Sequence, residues 1–219
     1  MELSQSEENY IKAIYSLYEV QQRPISTNDL AEQMKTKASS VTDMVKRLAD
    51  KKLLKHIRYQ GCTLTEEGMK IALKTIRKHR LWETFLVEKL NFGWDEVHPI
   101  AEQLEHIKSQ ALTDRLDTFL NHPKFDPHGD PIPDQDGNIT KLESSCKLDE
   151  LPLNQEAIVI GVEDGSPSFL RYLDGHEINL GTKLEVTEVF DFDDSRKVLV
   201  NGKVLNLSLA ASSKITVQL

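Results

Sequence analysis

The sequence predicts a mainly α-helical chain with a small β domain at its C-terminal end. Three observations carry that prediction. Apolar residues recur at helical spacing through most of the first 120 or so positions. A stretch rich in Pro, Gly and Asp follows from His122 to Glu150. Beyond it, short segments alternate apolar and polar residues around Gly, Asn and Asp turns.

Taken in order, Glu7–Val20 places Tyr10, Ile11, Ile14, Tyr15, Leu17 and Tyr18 at helical spacing, and Pro24 ends that pattern. Thr27 reads as the N-cap of a helix over Asn28–Met34. Lys35-Thr36-Lys37 then turns the chain into a helix over Ala38–Lys51, with Val41, Met44, Val45 and Leu48 inward. Leu53–Thr65 alternates on both sides of Gly61, as a β-hairpin does. Helix, helix, turn, helix, hairpin is the order of a winged helix-turn-helix, whose recognition helix enters the major groove of double-stranded DNA. Ser39, Ser40, Thr42, Asp43 and Lys46 fall on the outer face of that helix. With Lys37 before it, and Arg58 and Tyr59 in the hairpin, they are the candidate DNA contacts.

Thr65-Glu66-Glu67-Gly68 caps a long helix that runs to about Leu90. Phe92-Gly93-Trp94 turns the chain, and a second long helix is expected over Asp95–Leu120. Two long adjacent helices after a DNA-binding module make a natural homodimer interface, because palindromic operators call for two-fold proteins. Strands are expected at Glu156–Glu163, Lys183–Phe190, Lys197–Val200, Lys203–Leu207 and Lys214–Leu219, which fits a small SH3-like barrel. The expected domains are therefore 1–73, 74–140 and 155–219, with a linker at 141–154.

The net charge of −8 argues at first against nucleic acid, but it is unevenly spread. Residues 1–75 hold 12 Lys and Arg against 10 Asp and Glu, and the remainder holds 15 against 25. A mildly basic module thus precedes an acidic one, and such asymmetry points to different partners. Two cysteines, Cys62 and Cys146, imply no disulfide framework. No apolar run approaches the roughly 20 residues of a membrane span, and Met1–Asn9 lacks the pattern of a signal peptide, so the expected compartment is the cytoplasm, with no membrane partner.

The chemistry lies in the middle of the chain. His79 and Glu83 are one helical turn apart, and on the expected next helix His98, Glu102, Glu105 and His106 stand at i, i+4, i+7 and i+8, again on one face. Imidazole and carboxylate without thiolate favour Mn²⁺ or Fe²⁺ over a tetrahedral zinc–thiolate site. The bland alternative is a solvated helix face with scattered His and Glu. Six donors of the right type at this spacing outweigh it.

At this point a resemblance becomes specific. Glu8-Asn9-Tyr10-Ile11, Ser40-Val41-Thr42, Leu64-Thr65-Glu66-Glu67-Gly68, Arg77-Lys78-His79-Arg80-Leu81, Glu105-His106 and Asp126-Pro127-His128-Gly129-Asp130-Pro131-Ile132-Pro133 resemble the diphtheria-toxin-repressor family of metal-dependent regulators. The manganese-transport-regulator branch is the nearer one. The resemblance spans essentially the whole chain and implies a C-terminal module of the SH3-like, FeoA type. It implies two metal ions per subunit. One site resembles Asn9, Glu102, Glu105 and His106; the other resembles His79, Glu83 and His98, completed by Asp126, His128 and an acidic barrel residue, for which Asp164 is the choice. Asn9 departs from the Asp or Met of many members. Glu102 and Asp126 stand where relatives carry softer ligands, which implies Mn²⁺ with Fe²⁺ as the alternative. The expected function is a metal-dependent transcriptional repressor rather than an enzyme. A helix-turn-helix regulator sensing another ligand, or a dinuclear hydrolase, are the other classes, and the latter leaves the winged module without a purpose.

Overall fold

The computed structural model describes residues 2–57, 60–140 and 144–219. The expected DNA contacts Arg58 and Tyr59 lie outside the described residues. The chain divides into two units: Met1–His79 with Leu104–Ser109 and Pro133–Asn138, and Arg80–Gln103 with Gln110–Ile132 and Ile139–Leu219.

In the first unit, α1 (Gln5–Gln21) starts in a capping box, with Ser4 accepting from the Glu7 amide and Glu7 accepting from the Ser4 amide. Helix α2 (Thr27–Gln33) starts the same way, but its cap is Ser26, one residue before the expected Thr27. Asp29 decides the register, because only from Ser26 does a carboxylate fall at the third helical position to close the box. Helix α3 (Ala38–Asp50) buries Val41, Val45 and Leu48 and leaves its other face in solvent. Strands β1 (Leu54–Ile57) and β2 (Gly61–Leu64) pair antiparallel, from Leu54 opposite Leu64 to Ile57 opposite Gly61. Ile25 adds a bridge to Cys62, its amide and carbonyl each bonding at 2.9 Å. Gly61 is required there: its φ is +120°, and a Cβ would sit 2.1 Å from the Ile25 carbonyl oxygen. Ile11, Ile14, Ile25, Leu30 and Leu48 are fully buried, and each such side chain contributes about 1.5–3 kcal/mol.

Helix α4 (Glu66–Leu90) is capped by Thr65, whose Oγ1 accepts from the Gly68 amide at 3.1 Å. The single helix expected over Asp95–Leu120 is not formed. In its place stand α5 (His98–Leu104) and α6 (Gln110–Phe119). Glu105 and His106 leave the helix as a turn, closed by the Ile107 amide on the Leu104 carbonyl at 3.1 Å. The Glu105 carboxylate is drawn to Lys12 of α1, and Ser109, a residue type favoured at helix starts, precedes α6. The turn that replaces the expected helical run is thus joined to α1 by a long-range ion pair.

In the second unit, Leu81, Leu116, Leu120 and Ile132 form one small core with Trp82 and Phe85 packed on it. The other core belongs to a six-stranded antiparallel sheet, with strands β3 (Ser145–Lys147), β4 (Glu156–Val162), β5 (Lys183–Val189), β6 (Arg196–Val200), β7 (Lys203–Leu207) and β8 (Ile215–Gln218) in the order β3-β8-β4-β5-β6-β7. The five expected strands are all present. Strand β3 is additional and comes from the segment expected to be linker. A helix not foreseen, α7 (Pro167–Gly175), buries Leu170 and Leu173 among the sheet's Val159, Val186 and Val198; α8 (Leu209–Ser212) is a single turn before β8. Among the described residues no helix is long and apolar enough to cross a membrane.

A loop on β4 prepares the site described next. Phe125 bridges Pro131, the Asp126 amide bonds the Asp130 carbonyl at 3.0 Å, and the Val162 amide bonds the His128 carbonyl at 2.9 Å. Gly129 sits at the tip with φ +87°, where a Cβ would lie 2.1 Å from the Ile160 carbonyl oxygen. Gly129→Ala is therefore expected to cost about 2 kcal/mol or more, since left-handed strain alone costs 1–3. That loss is expected to lower the thermal midpoint by roughly 4–8 °C. An unchanged midpoint in differential scanning calorimetry would show that the loop has room to move.

Candidate metal centre

In the first unit, α1 brings Glu8 and Lys12 to the Glu105–His106 turn, with Asn9 between them in the helix. Glu105 is 0% exposed. Its carboxylate accepts from His79 Nδ1 at 2.6 Å and from Lys12 Nζ at 2.8 and 2.7 Å on its two oxygens. Burial pushes its pKa up, but the His79 hydrogen bond and the Lys12 charge outweigh that and hold it below the usual carboxylate value. His106 donates from Nδ1 to Glu8 Oε2 at 2.6 Å. A carboxylate only accepts, so this bond fixes the tautomer and leaves the Nε2 lone pair for another partner. That Nε2 is buried without a hydrogen bond among the described residues, and so is the amide oxygen of Asn9. His106 Nε2 lies 3.8 Å from the buried Glu105 carboxylate, and imidazole with carboxylate is a donor pair that suits a hard divalent ion.

In the second unit, Glu83, Asp126 and His128 are all buried and offer one donor atom each within 4.8 Å of one another. His128 Nε2 donates to the Trp94 carbonyl at 2.8 Å, and its ring stacks on the Trp94 ring at 6.1 Å and 14°. Its Nδ1 faces Glu83 Oε2 at 3.8 Å. Asp126 Oδ1 accepts from the amides of His128 and Asp130 at 2.8 and 3.0 Å, whereas Oδ2 has no hydrogen bond among the described residues. Arg80 Nε lies 3.7 Å from that Oδ2. Burial, with Asp130 and Glu83 adding negative charge nearby, pushes the Asp126 carboxyl up to about 7. Burial lowers the His128 pKa, but the neighbouring Glu83 carboxylate, with Asp126 adding to it, raises it on balance to about 9. His98 joins from α5, with Nδ1 at 3.2 Å from Glu83 Oε1 and Nε2 at 3.6 Å from Glu102 Oε1.

The expected face of His98, Glu102, Glu105 and His106 along one helix is thus corrected. His98 and Glu102 share α5, while Glu105 and His106 occupy the turn after it. Asp164 follows β4 in the second unit. Its Oδ1 accepts from the Ser166 amide and its Oδ2 is ion-paired with Lys214, and no metal-donor group among the described residues includes it. Glu8, Lys12 and the Trp94 carbonyl went unremarked in the sequence. Glu8 and Lys12 are one turn apart on α1, flanking Asn9, and that spacing is the signal that could have found them.

The candidate DNA contacts on and before α3 lie at the surface. Lys37, Ser39, Ser40, Thr42, Asp43 and Lys46 are all exposed, and Thr42 Oγ1 donates to the Ala38 carbonyl at 2.9 Å. Lys51, at the end of α3, pairs with the buried Glu7 of α1 at 2.5 Å.

Comparison with known proteins agrees with the fold. Residues 2–62 match the iron-dependent repressor N-terminal DNA-binding domain, 65–134 the iron-dependent repressor metal-binding and dimerisation domain, and 146–219 the FeoA domain. The chain is 36% identical over 132 residues to the iron-dependent repressor IdeR of Mycobacterium bovis, a match that covers 60% of this chain and 57% of that protein. It is 30% identical over 152 residues to the transcriptional regulator MntR of Oceanobacillus iheyensis, covering 69% of this chain and 96% of that one. A solved manganese-dependent transcriptional repressor in complex with manganese superposes with a TM-score of 0.87 at 35% identity, covering 97% of this chain and 99% of that one. A winged DNA-binding head joined to buried carboxylate–imidazole clusters defines the class of metal-responsive DNA-binding regulators. The chain belongs to the diphtheria-toxin-repressor family of metal-dependent transcriptional repressors, which includes iron- and manganese-responsive regulators.

Proposed function

We propose that this protein is a cytoplasmic repressor that binds a palindromic operator as a homodimer when two Mn²⁺ ions, or alternatively Fe²⁺, are bound to each subunit. The observation that carries the reading is a set of buried donor atoms that make no hydrogen bond among the described residues: Asn9 Oδ1, His106 Nε2 and Asp126 Oδ2. The first site takes Asn9, Glu105 and His106. The second takes Glu83, Asp126 and His128, with His98 beside them. Glu102 in the first site and His79 in the second follow the family resemblance. All these donors are oxygen or imidazole nitrogen, which favours Mn²⁺ over thiolate-seeking ions.

A bound divalent ion supplies positive charge that the buried carboxylates otherwise find only in protons and neighbouring cations. The chain's own part is to position. Glu8 orients the His106 ring, Asn9 offers its carbonyl oxygen from α1, and Glu7 of the same helix holds Lys51 at the end of α3. Closing the first site fixes α1, and through Lys51 it fixes the helix whose Ser39, Ser40, Thr42 and Asp43 face the operator. Moving the reading head from 1:99 to 99:1 in the binding geometry requires about 5.5 kcal/mol of differential metal affinity, which two sites can share.

The test is fluorescence anisotropy of a labelled promoter fragment, titrated with protein in chelator and then in Mn²⁺, Fe²⁺ or Zn²⁺. Mn²⁺ or Fe²⁺ is expected to tighten binding, and a Glu102→Ala/Glu105→Ala double variant is expected to stay at its chelator value. Equal affinity with and without metal would overturn the proposal. On the DNA side, Lys46→Ala is expected to weaken binding to all sequences alike and to reduce the slope of log affinity against log salt by about 1. A change confined to one operator position would instead make Lys46 a base-reading residue.

A further inference from the structure

The donors of the first site are unequal. Asn9 and His106 present lone pairs without a hydrogen bond among the described residues, but the Glu105 carboxylate is already taken. Lys12 Nζ lies 2.7–2.8 Å from both carboxylate oxygens, so a single ammonium spans the edge through which Glu105 would bind an ion. The arrangement is well protected from water. The Glu105 side chain is 0% exposed and that of Lys12 only 16%. Lys12 is one turn beyond Glu8 on α1, and Glu8 orients His106, so one helix face carries both the support for one ligand and the cation that covers another.

We propose that Lys12 is a built-in counter-cation for Glu105, and that metal entry at the first site is an exchange in which this ammonium gives up the carboxylate. The inference rests on Glu105 being a metal ligand, as proposed above. Two opposite effects follow from one side chain. Without metal, Lys12 spares Glu105 from being a buried, under-compensated charge and so stabilises the fold. With metal present, the same pairing competes for the carboxylate and lowers affinity. Lys12 thereby sets the free metal concentration at which the first site fills, and prevents filling by trace divalent ions.

The experiment uses the full chain and Mn²⁺ alone, at fixed pH, with isothermal titration calorimetry for affinity and scanning calorimetry for stability. Lys12→Met keeps the length of the stem and removes the charge. It is expected to bind Mn²⁺ about tenfold more tightly at the first site, about 1.4 kcal/mol. It is also expected to melt earlier than wild type in chelator, with most of the difference gone at saturating Mn²⁺. Lys12→Arg, which keeps a cation, is expected to remain within a few-fold of wild-type affinity and serves if Lys12→Met does not fold without metal; a metal-dependent recovery of the folded Lys12→Met signal would itself support the exchange. Unchanged or weaker Mn²⁺ binding by a folded Lys12→Met, with wild type binding normally, would overturn the inference and leave the site assignment standing. Wild-type protein that retains no Mn²⁺ would overturn both.

Discussion

Glu105→Gln is expected to weaken Mn²⁺ binding at the first site by on the order of 100-fold and to abolish metal-dependent operator binding at micromolar Mn²⁺. The side chain keeps its shape and loses its charge. A neutral amide presents a single acceptor oxygen and an NH₂ group, and that NH₂ would face His79 Nδ1 or the Lys12 ammonium, where two acceptor oxygens now stand. Because Glu105 is fully buried, water cannot substitute for the lost charge. Isothermal titration calorimetry with Mn²⁺ and anisotropy with promoter DNA check the two halves separately. Metal affinity within a few-fold of wild type would remove Glu105 from the ligand set. Lost metal binding with intact Mn²⁺-dependent DNA binding would place regulation in the second site alone.

The second large effect is on pH. Asp126 is raised from 3.8 to about 7 by burial with Asp130 and Glu83 nearby, and His128 from 6.5 to about 9, the neighbouring Glu83 carboxylate, with Asp126 adding to it, outweighing burial. Both shifts are upward, so both groups hold protons more tightly folded than unfolded. The stability from Asp126 is complete below about pH 3.8 and is lost as pH rises through about 7. That from His128 is complete below about 6.5 and is lost as pH rises through about 9. In chelator the thermal midpoint is therefore expected to fall between pH 6 and 9. A divalent ion requires the carboxylate and the neutral imidazole, so its binding releases protons, and affinity rises by up to about tenfold per pH unit for each proton released. The rise in midpoint conferred by Mn²⁺ is accordingly expected to be larger at pH 8.5 than at pH 6. At a hundredfold excess over Kd that rise corresponds to about 2.7 kcal/mol. A Mn²⁺ effect equal at both pH values would mean that Asp126 and His128 do not titrate on metal binding.

The sequence was most legible where one helix face meets one local core. Helices α1 to α4, the hairpin and the five longer strands follow the apolar period directly, and the exposed face of α3 needed only the positions of Val41, Val45 and Leu48. What escaped was decided over long separations. The turn between α5 and α6 holds Glu105 against Lys12, 93 positions away, and no local window contains that pair. Strand β3 is three residues long, too short to show alternation, and is held by its register on β8. Helix α7 did announce itself through Ser166-Pro167 and the apolar Leu170 and Leu173, but it lies among strand signals that drew the eye. Asp164 likewise has a distant partner, since Lys214, 50 positions on, holds its carboxylate. Residue type could name candidate donors, whereas the partners that free or occupy each lone pair became visible only in three dimensions.

Electron paramagnetic resonance of Mn²⁺ addresses most directly whether these side chains hold an ion at all, because aqueous Mn²⁺ gives a sharp six-line signal that is broadened on binding to protein. Titration into chelator-stripped protein is expected to suppress that signal until about two equivalents per chain have been added, with roughly one equivalent lost in Glu105→Gln. The full aqueous signal from the first addition, at protein concentrations of tens of micromolar, would contradict it.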